Sequence, residues 1–354
     1  MTEKIISIVI PTYNMGNYLG RCLDSLLLPE ITDKIEVIIV NDGSTDKSLL
    51  IARSYKTKFP ATIVVIDKDN GNMGSCYNAG LKAATGKYFR PLDADDWFDR
   101  QSFVQYVNIL QNTEADMIIT NYSGEYSNGK SIVKYSKKHI KNITPAKIYD
   151  FKKYSFDNTQ NHELFRMHSI TYSTKLLTNM NFKFTEGVLY VDTEYCFYPL
   201  KQVTDFMYLD TVLYKYCIGR EGQSVSEISI AKNKEHPYKI IRRMIEYFNS
   251  GQNEVHETVK DKQYAIFNRI LELYYRAILI CNNRNIEDNN KLKEIDSFLK
   301  RFNSTIYNTL GKQTHTCIRT RYIYLWRKNG KYYKETVSYK FYSLLRKLKN
   351  RVIR

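Results

Sequence analysis

Between Gly86 and Asp99 the chain reads GKYFRPLDADDWFD, which gathers three carboxylates, Asp93, Asp95 and Asp96, within four positions. Tyr88 to Leu92, just before them, has the character of a strand, so the acids collect where a buried strand ends. Like charges this close raise one another's pKa unless a cation stands between them. Mg2+ and Mn2+ take oxygen ligands, and Mg2+ is commonly held by one or two carboxylates together with substrate phosphates. A carboxylate pair one residue apart at a strand end suits that chemistry. The metal cancels the repulsion and accepts the charge of a departing diphosphate. An acidic turn capping the next helix would use the same letters, so the choice rests on what else shares the site.

Those acids need a frame. Ile5 to Ile10 is a short apolar run of the kind found in strands buried on both faces. Asn17 to about Leu28 predicts a helix with Leu19, Cys22, Leu23 and Leu26 on one face. Ile35 to Val40 predicts a second strand that breaks at Asn41-Asp42-Gly43, with Ser44 placed as a helix N-cap. Thr62 to Ile66 predicts a third strand, Ser75 to Ala84 a helix stopped by Gly86, Tyr88 to Leu92 a fourth strand and Met117 to Thr120 a fifth. This alternation predicts an α/β fold, a mostly parallel sheet flanked by helices. Ligands of such sheets bind beyond the carboxyl ends of the strands. Thr12, Tyr13 and Asn14 follow the first strand, Asn41 and Asp42 the second and the three acids the fourth, so three strands deliver polar groups to one rim.

The chain has 354 residues and a net charge of +16. From Lys312 to Arg354 there are thirteen Lys and Arg against one acid, Glu335, or +12, which leaves +4 on the other 311 residues. A nucleic-acid-binding protein would carry its basic residues over a folded groove with interleaved aromatics. Here the charge is terminal and the rim is acidic, so nucleic acid is not an expected partner. The six cysteines are scattered with no CxxC pair and read as reduced thiols of a cytosolic protein. No apolar run is long enough for a membrane span, and the start, MTEKIISIVIPTYN, reads as a strand rather than a signal peptide.

Four stretches in order, SIVIPTYNMGNYLGRCLDSLL, EVIIVNDGSTDKS, NGNMGSCYNAGLKAATGKYF and LDADDW, resemble the successive motifs of family 2 glycosyltransferases with the GT-A fold, among them bacterial enzymes of cell-surface polysaccharide synthesis. The resemblance is strong over residues 4–122 and thinner to about residue 227 through FRMHSITYSTKLL, LYVDTEYCFYPL and YKYCIGREGQSVS. It implies that Pro11, Thr12 and Tyr13 line a nucleotide pocket and that Asp42 binds the uracil or ribose side. It implies that Asp93 contacts ribose or metal, that Asp95 coordinates the metal, and that Asn78 lies among the donor contacts. Asp192 matches the family's catalytic base, although Val191 stands where many members have Glu, and Glu194 is the other candidate. The same carboxylate also suits a cap on a helix from Thr193 to Leu200.

Further along, Ile218 to Ser226 (IGREGQSVS) reads either as an exposed turn or as a loop whose Arg220 reaches the diphosphate. His168 reads as a structural histidine or as a ligand for acceptor or metal. From Glu335 to Arg354, Val337, Phe341, Leu344, Leu345, Leu348 and Val352 share one helical face, with Lys and Arg on the flanks and the opposite side. Such a helix lies on an anionic membrane surface or docks on the protein's own body.

The expected organisation is a catalytic domain over residues 1–227, a helical region over 228–311 and a basic amphipathic tail over 312–354. The expected activity is inverting, Mn2+- or Mg2+-dependent transfer from a UDP-sugar to a glycan or lipid-linked acceptor at the inner membrane face. Transfer to a polyprenyl phosphate, or a non-catalytic sugar-nucleotide-binding subunit, are the alternatives.

Overall fold

The computed structural model describes residues 3–133, 140, 142–156, 164–220, 222–250, 255–313 and 321–333. The amphipathic stretch from Glu335 to Arg354 lies outside the described residues. The chain divides into two units, Met1–Glu221 with Tyr247–Ile266, and Gly222–Glu246 with Phe267–Arg354.

The first unit is built on one sheet. Its described strands are β1 (Ile6–Thr12), β2 (Ile35–Asp42), β3 (Ile63–Lys68), β4 (Tyr88–Pro91), β5 (Trp97–Phe98), β6 (Met117–Tyr126), β7 (Ser131–Val133), β8 (Ile148–Asp150), β9 (Ile170–Ser173) and β10 (Asp205–Ile218). The order is β3-β2-β1-β4-β9-β6-β10-β5, with β7 on β6 and β8 on β10. β1 pairs parallel with β2 and β4, and β2 with β3, so the ends of β1, β2 and β4 share one rim. The sheet is mixed: its long ladders are parallel, and short antiparallel pairs are added to them. β9 enters between β4 and β6 and pairs antiparallel with both. The strands that bring antiparallel pairs are β5, β7, β8 and β9, each two to four residues long, too short to show an alternation in sequence.

Helices α1 (Leu19–Asp24), α2 (Ser48–Lys58), α3 (Asn72–Ala83) and α4 (Arg100–Gln111) connect the first strands. α3 packs on β1 and on the segment after α5 (Thr174–Asn179) at two glycines. A Cβ on Gly80 would meet Val9 at 2.4 Å, and one on Gly74 would meet the Thr185 carbonyl oxygen at 2.0 Å. Ser44 does not cap α2, which starts at Ser48. The Asp46 carboxylate accepts from the Ser48 N–H at 2.9 Å, and Ser44 instead accepts from the Asn14 N–H at 3.0 Å. The helix α6 (Asp192–Phe197) then turns the chain toward β10.

The second unit is helical: α7 (Glu227–Lys232), most of α8 (Glu235–Asn249), the second half of α9 (Glu257–Arg276), α10 (Ile286–Phe302), α11 (Ser304–Lys312) and α12 (Tyr322–Asn329). Asn285 and Asn303 cap α10 and α11 by accepting the N–H groups of Asp288 and Ile306. Inside this unit α12 buries Tyr322, Ile323 and Trp326, and Arg327 pairs with Asp296 at 2.6 Å. Residues 322–329 therefore belong to a packed core, although they fall in the basic stretch. No helix among the described residues is long and apolar enough to cross a membrane.

Candidate active site

Two strand ends form one side of the rim. Asp42, the last residue of β2, is buried, and its Oδ1 accepts from Lys68 Nζ at 2.7 Å and from the Gly71 N–H at 2.9 Å. The Asn70 amide donates to the Asp42 carbonyl at 2.9 Å, so the turn after β3 closes around this aspartate. Thr12 ends β1 and is buried, Pro11 is half-buried, and Tyr13 is 50% exposed beside them. Asn14, at φ +54°, accepts from the Thr45 N–H at 2.8 Å and ties the turn after β1 to the turn after β2.

The carboxylates after β4 occupy three different settings. Asp96 is fully buried, and its two oxygens accept from the Tyr214 hydroxyl at 2.5 Å and the Cys217 N–H at 2.7 Å. Asp95 pairs with Arg220, Nε to Oδ2 at 2.7 Å, and its carbonyl accepts from Arg21 at 2.6 Å. Arg21 in turn lies 3.8 Å over the Trp97 ring. Asp93 is half-buried. Desolvation first, then the charges of Asp95 and Asp192, push its pKa up to about 8, against the pull of Arg220. Burial, Asp95 and Asp93 raise Asp96 well above the usual carboxylate range, opposed by its bonds to Tyr214 and Cys217. These are acids assembled at a cost that a bound cation relieves.

Asp93, Asp96 and His168 each place a ligand atom within 4.8 Å of the others. The His168 ring is stacked on Tyr122, with centroids 5.2 Å apart, and meets Tyr214 and Tyr216 at 4.8 and 4.5 Å. Two carboxylates and an imidazole are a donor set that fits Mn2+, while the oxygen pair also fits Mg2+. The sequence offers Asp96 as one of three clustered acids and His168 as one reading of a metal ligand; that these two join Asp93, where the expected pair was Asp93 and Asp95, follows from the turn ahead of β9, which brings His168 in from far along the chain.

Asp192 begins α6, directly after Val191 and the strained Tyr190 at φ +68°. Its charge acts on Asp93, which places it by the cluster. Glu194, by contrast, is fully buried, and its carboxylate accepts from both the N–H and the hydroxyl of Thr185 at 2.8 Å. Asn78 lies on α3, where its amide accepts from the Phe184 N–H at 2.9 Å and donates to the Phe184 carbonyl at 3.0 Å and to Glu186 at 2.8 Å. Asn78 thus holds the loop ahead of α6.

With this geometry in hand, comparison with known proteins gives a consistent result. Residues 7–173 match the family model of glycosyl transferase family 2. The match covers a little under half of the chain and makes it similar to family 2 glycosyltransferases, and its sheet with flanking helices and helical extension has the GT-A fold. It is 28% identical over 248 residues to an uncharacterized glycosyltransferase, EpsJ, of Bacillus subtilis, covering 69% of this chain and 70% of that one. Among solved structures it resembles TarS 1-349 of S. aureus in complex with UDP-GlcNAc, at 19% identity and a TM-score of 0.60, with 93% of each chain covered. It also resembles the mannosyltransferase PcManGT of Pyrobaculum calidifontis in complex with GDP-Man and Mn2+, at 16% identity and a TM-score of 0.51, covering 95% of this chain and 89% of that one. At these identities the structural likeness speaks for the fold alone.

Proposed function

We propose that the protein transfers a glycosyl group, with inversion, from a UDP-sugar to a hydroxyl of a glycan or lipid-linked acceptor, with Mn2+ or Mg2+ at the carboxylate rim. The observation that carries this reading is the convergence of Asp93, Asp96 and His168 within 4.8 Å, at the end of β4 and on the rim that also holds Asp42. The match of residues 7–173 to the family model supports the reaction class. The UDP-GlcNAc of one structural neighbour and the GDP-Man and Mn2+ of the other are in keeping with a nucleotide-sugar donor and a divalent cation.

Each residue then has a task. Pro11, Thr12 and Tyr13 line the nucleotide. Lys68, Gly71 and Ser75 all meet Oδ1 of Asp42, so its Oδ2 is the acceptor for a uracil N–H or a ribose hydroxyl. Asp93 and Asp96, with His168, would hold the cation, and Asp95 stands next to them as a further oxygen ligand toward the diphosphate. When bound, the cation stabilises the charge that grows on that diphosphate. Arg220, already beside Asp95, offers the diphosphate a charged donor fork. Asp192 accepts the proton of the acceptor hydroxyl. The acceptor oxygen bonds to the anomeric carbon, the bond from that carbon to the diphosphate oxygen breaks, and UDP leaves with the electron pair. The basic amphipathic segment, Glu335 to Arg354, brings the reaction to an anionic membrane surface at the inner face of the cell membrane.

Calorimetric titration with UDP, with and without Mn2+, tests the reading. Binding that tightens at least tenfold with Mn2+ is expected, and Asp95→Ala should abolish turnover in a folded protein. Equal affinity in both conditions overturns the metal bridge.

A further inference from the structure

Arg90 is fully buried in the sheet, three residues before Asp93, and no described carboxylate pairs with it. A guanidinium stays charged in any protein interior, so burial without an anion is costly. The fold stabilises it in other ways. Nη1 donates to the Thr171 hydroxyl at 2.7 Å, and Nη2 donates to the His168 carbonyl at 2.6 Å and, more weakly, to the Thr120 hydroxyl at 3.3 Å. The rings of Phe98 and Tyr106 lie 5.3 and 5.8 Å from its Cζ. Its Nε has no hydrogen-bond partner among the described residues.

These contacts fall where the sheet changes direction. β4 and β9 pair antiparallel through Tyr88 with Ser173 and Phe89 with Tyr172, and the ladder ends there. Arg90 and Thr171 are the next residues on each strand, and the side chain of Arg90 continues the connection that the backbone drops. The turn it reaches is a tight one, closed by the Ser169 N–H on the Arg166 carbonyl at 2.9 Å, and joined to β6 by the Thr120 N–H on the Ser169 carbonyl at 2.9 Å. His168 sits inside that turn. One side chain therefore links the strand that delivers Asp93 to the backbone of His168.

We propose that Arg90 is a positioning residue for the cation. It fixes the His168 backbone so that the imidazole stands as a nitrogen ligand beside Asp93 and Asp96. The inference rests on the reading of this rim as a metal site. Arg90, itself a cation, cannot bind the metal and acts only through His168. A neutral side chain at this place would still fill the sheet but would let the turn drift, and a shift of the ring away from Asp93 removes one of three ligands. Partners that orient a metal ligand typically change metal affinity by roughly 10- to 100-fold when removed.

The test uses Mn2+ alone on the full chain, so it does not depend on any sugar donor. Pulsed electron paramagnetic resonance of the Mn2+-loaded protein should show imidazole nitrogen coupling, lost in His168→Ala. Arg90→Gln should weaken Mn2+ binding at least tenfold in calorimetry and diminish that coupling. Arg90→Lys, which keeps the charge but not the fork, should fall between the two. In the His168→Ala background, Arg90→Gln should cost no further Mn2+ affinity. Absence of nitrogen coupling in the unaltered protein overturns the proposal without any variant, whatever the folding of Arg90→Gln. An undiminished effect of Arg90→Gln when His168 is already Ala overturns it too, since Arg90 would then act on the sheet as a whole. Mn2+ bound with nitrogen coupling in a protein that shows no affinity for UDP would leave this inference standing and overturn the donor assignment instead.

Discussion

Arg220 Nε lies 2.7 Å from Asp95 Oδ2, with both side chains largely buried. The pair joins the chain just after β10 to the acid one residue beyond Ala94, and it stands where the diphosphate is expected. A donor that brings a cation to Asp95 changes the partner of both groups. Hydrogen bonds to charged groups contribute about 1.5–3 kcal/mol. Arg220→Ala should therefore lower kcat/KM for the donor by roughly 10- to 100-fold, and Arg220→Lys, which lacks the planar fork, should recover only part. Steady-state kinetics of donor hydrolysis checks this, and unchanged kcat/KM in Arg220→Ala removes Arg220 from the site.

Asp192 and Glu194 should separate cleanly. Asp192→Asn leaves UDP affinity near normal and cuts turnover by about 100-fold or more, the range for loss of a general base. Glu194→Gln breaks the double contact to Thr185, so it should lower the melting temperature while the surviving folded enzyme still turns over. Near-normal transfer by Asp192→Asn would make that residue a helix cap and return Glu194 to consideration.

The acids after β4 predict that the cation stabilises the fold. Mn2+ at about 100 times its Kd should add about 2.7 kcal/mol by mass action, read as a rise in melting temperature that a chelator reverses. Asp93→Asn and Asp96→Asn should each reduce that response. A melting temperature indifferent to Mn2+ would leave the cluster as a set of acids without a ligand.

Lys262 gives a pH dependence away from the site. It is 1% exposed and lies 4.7 Å from the Phe151 ring centroid. Its ammonium donates to the carbonyls of Tyr154 and Thr258 at 3.1 and 2.8 Å. Burial outweighs the charge of Asp261 and lowers its pKa from 10.5 to about 8. Below about pH 8 the charge is present in both folded and unfolded chains, and the folded one bears the penalty. Between about 8 and 10.5 the unfolded chain binds more protons, so stability rises with pH through that window. Lys262→Met should stabilise the protein at pH 7 by on the order of 2 kcal/mol, with the advantage shrinking by pH 10. A less stable variant at pH 7 would mean that the aromatic and carbonyl contacts outweigh burial.

The membrane assignment is best tested by removing only residues 334–354. Ending the chain near Gly311 would also delete α12, whose Trp326 donates to Asn289 at 2.9 Å within the second unit. Vesicle co-sedimentation should show salt-sensitive binding to anionic lipid that the shortened chain loses. Equal pelleting of both forms would exclude this segment as the membrane contact.

Sequence and structure agree best where a motif is contiguous. Asp42 and Asp93 could be placed on one rim because each follows a buried apolar strand, and parallel strands share an end. The helix starts were less legible: Ser44 has a capping side chain, yet Asp46 takes the N–H of Ser48. His168 could be named as a candidate ligand, but its place beside Asp93 and Asp96 could not be read. His168 reaches Asp93 only because β9 inserts antiparallel between β4 and β6, and four residues carry no periodicity that reveals such a strand. Arg90 was invisible for a related reason. A charged residue inside a strand looks exposed in sequence, and the groups that accept its buried guanidinium, Thr171, Thr120 and the His168 carbonyl, come from distant strands and turns.

Cation-dependent glycosyl transfer from a nucleotide sugar is read out by release of UDP from a panel of UDP-sugars, with Mn2+ or with a chelator. UDP-glucose, UDP-galactose and the two UDP-N-acetylhexosamines form the panel. One of them should be turned over slowly to water in Mn2+, chelation should stop that turnover, and Asp95→Ala should abolish it. Release of UDP that continues unchanged in chelator, or no release from any donor by a protein that binds Mn2+, would contradict cation-dependent transfer.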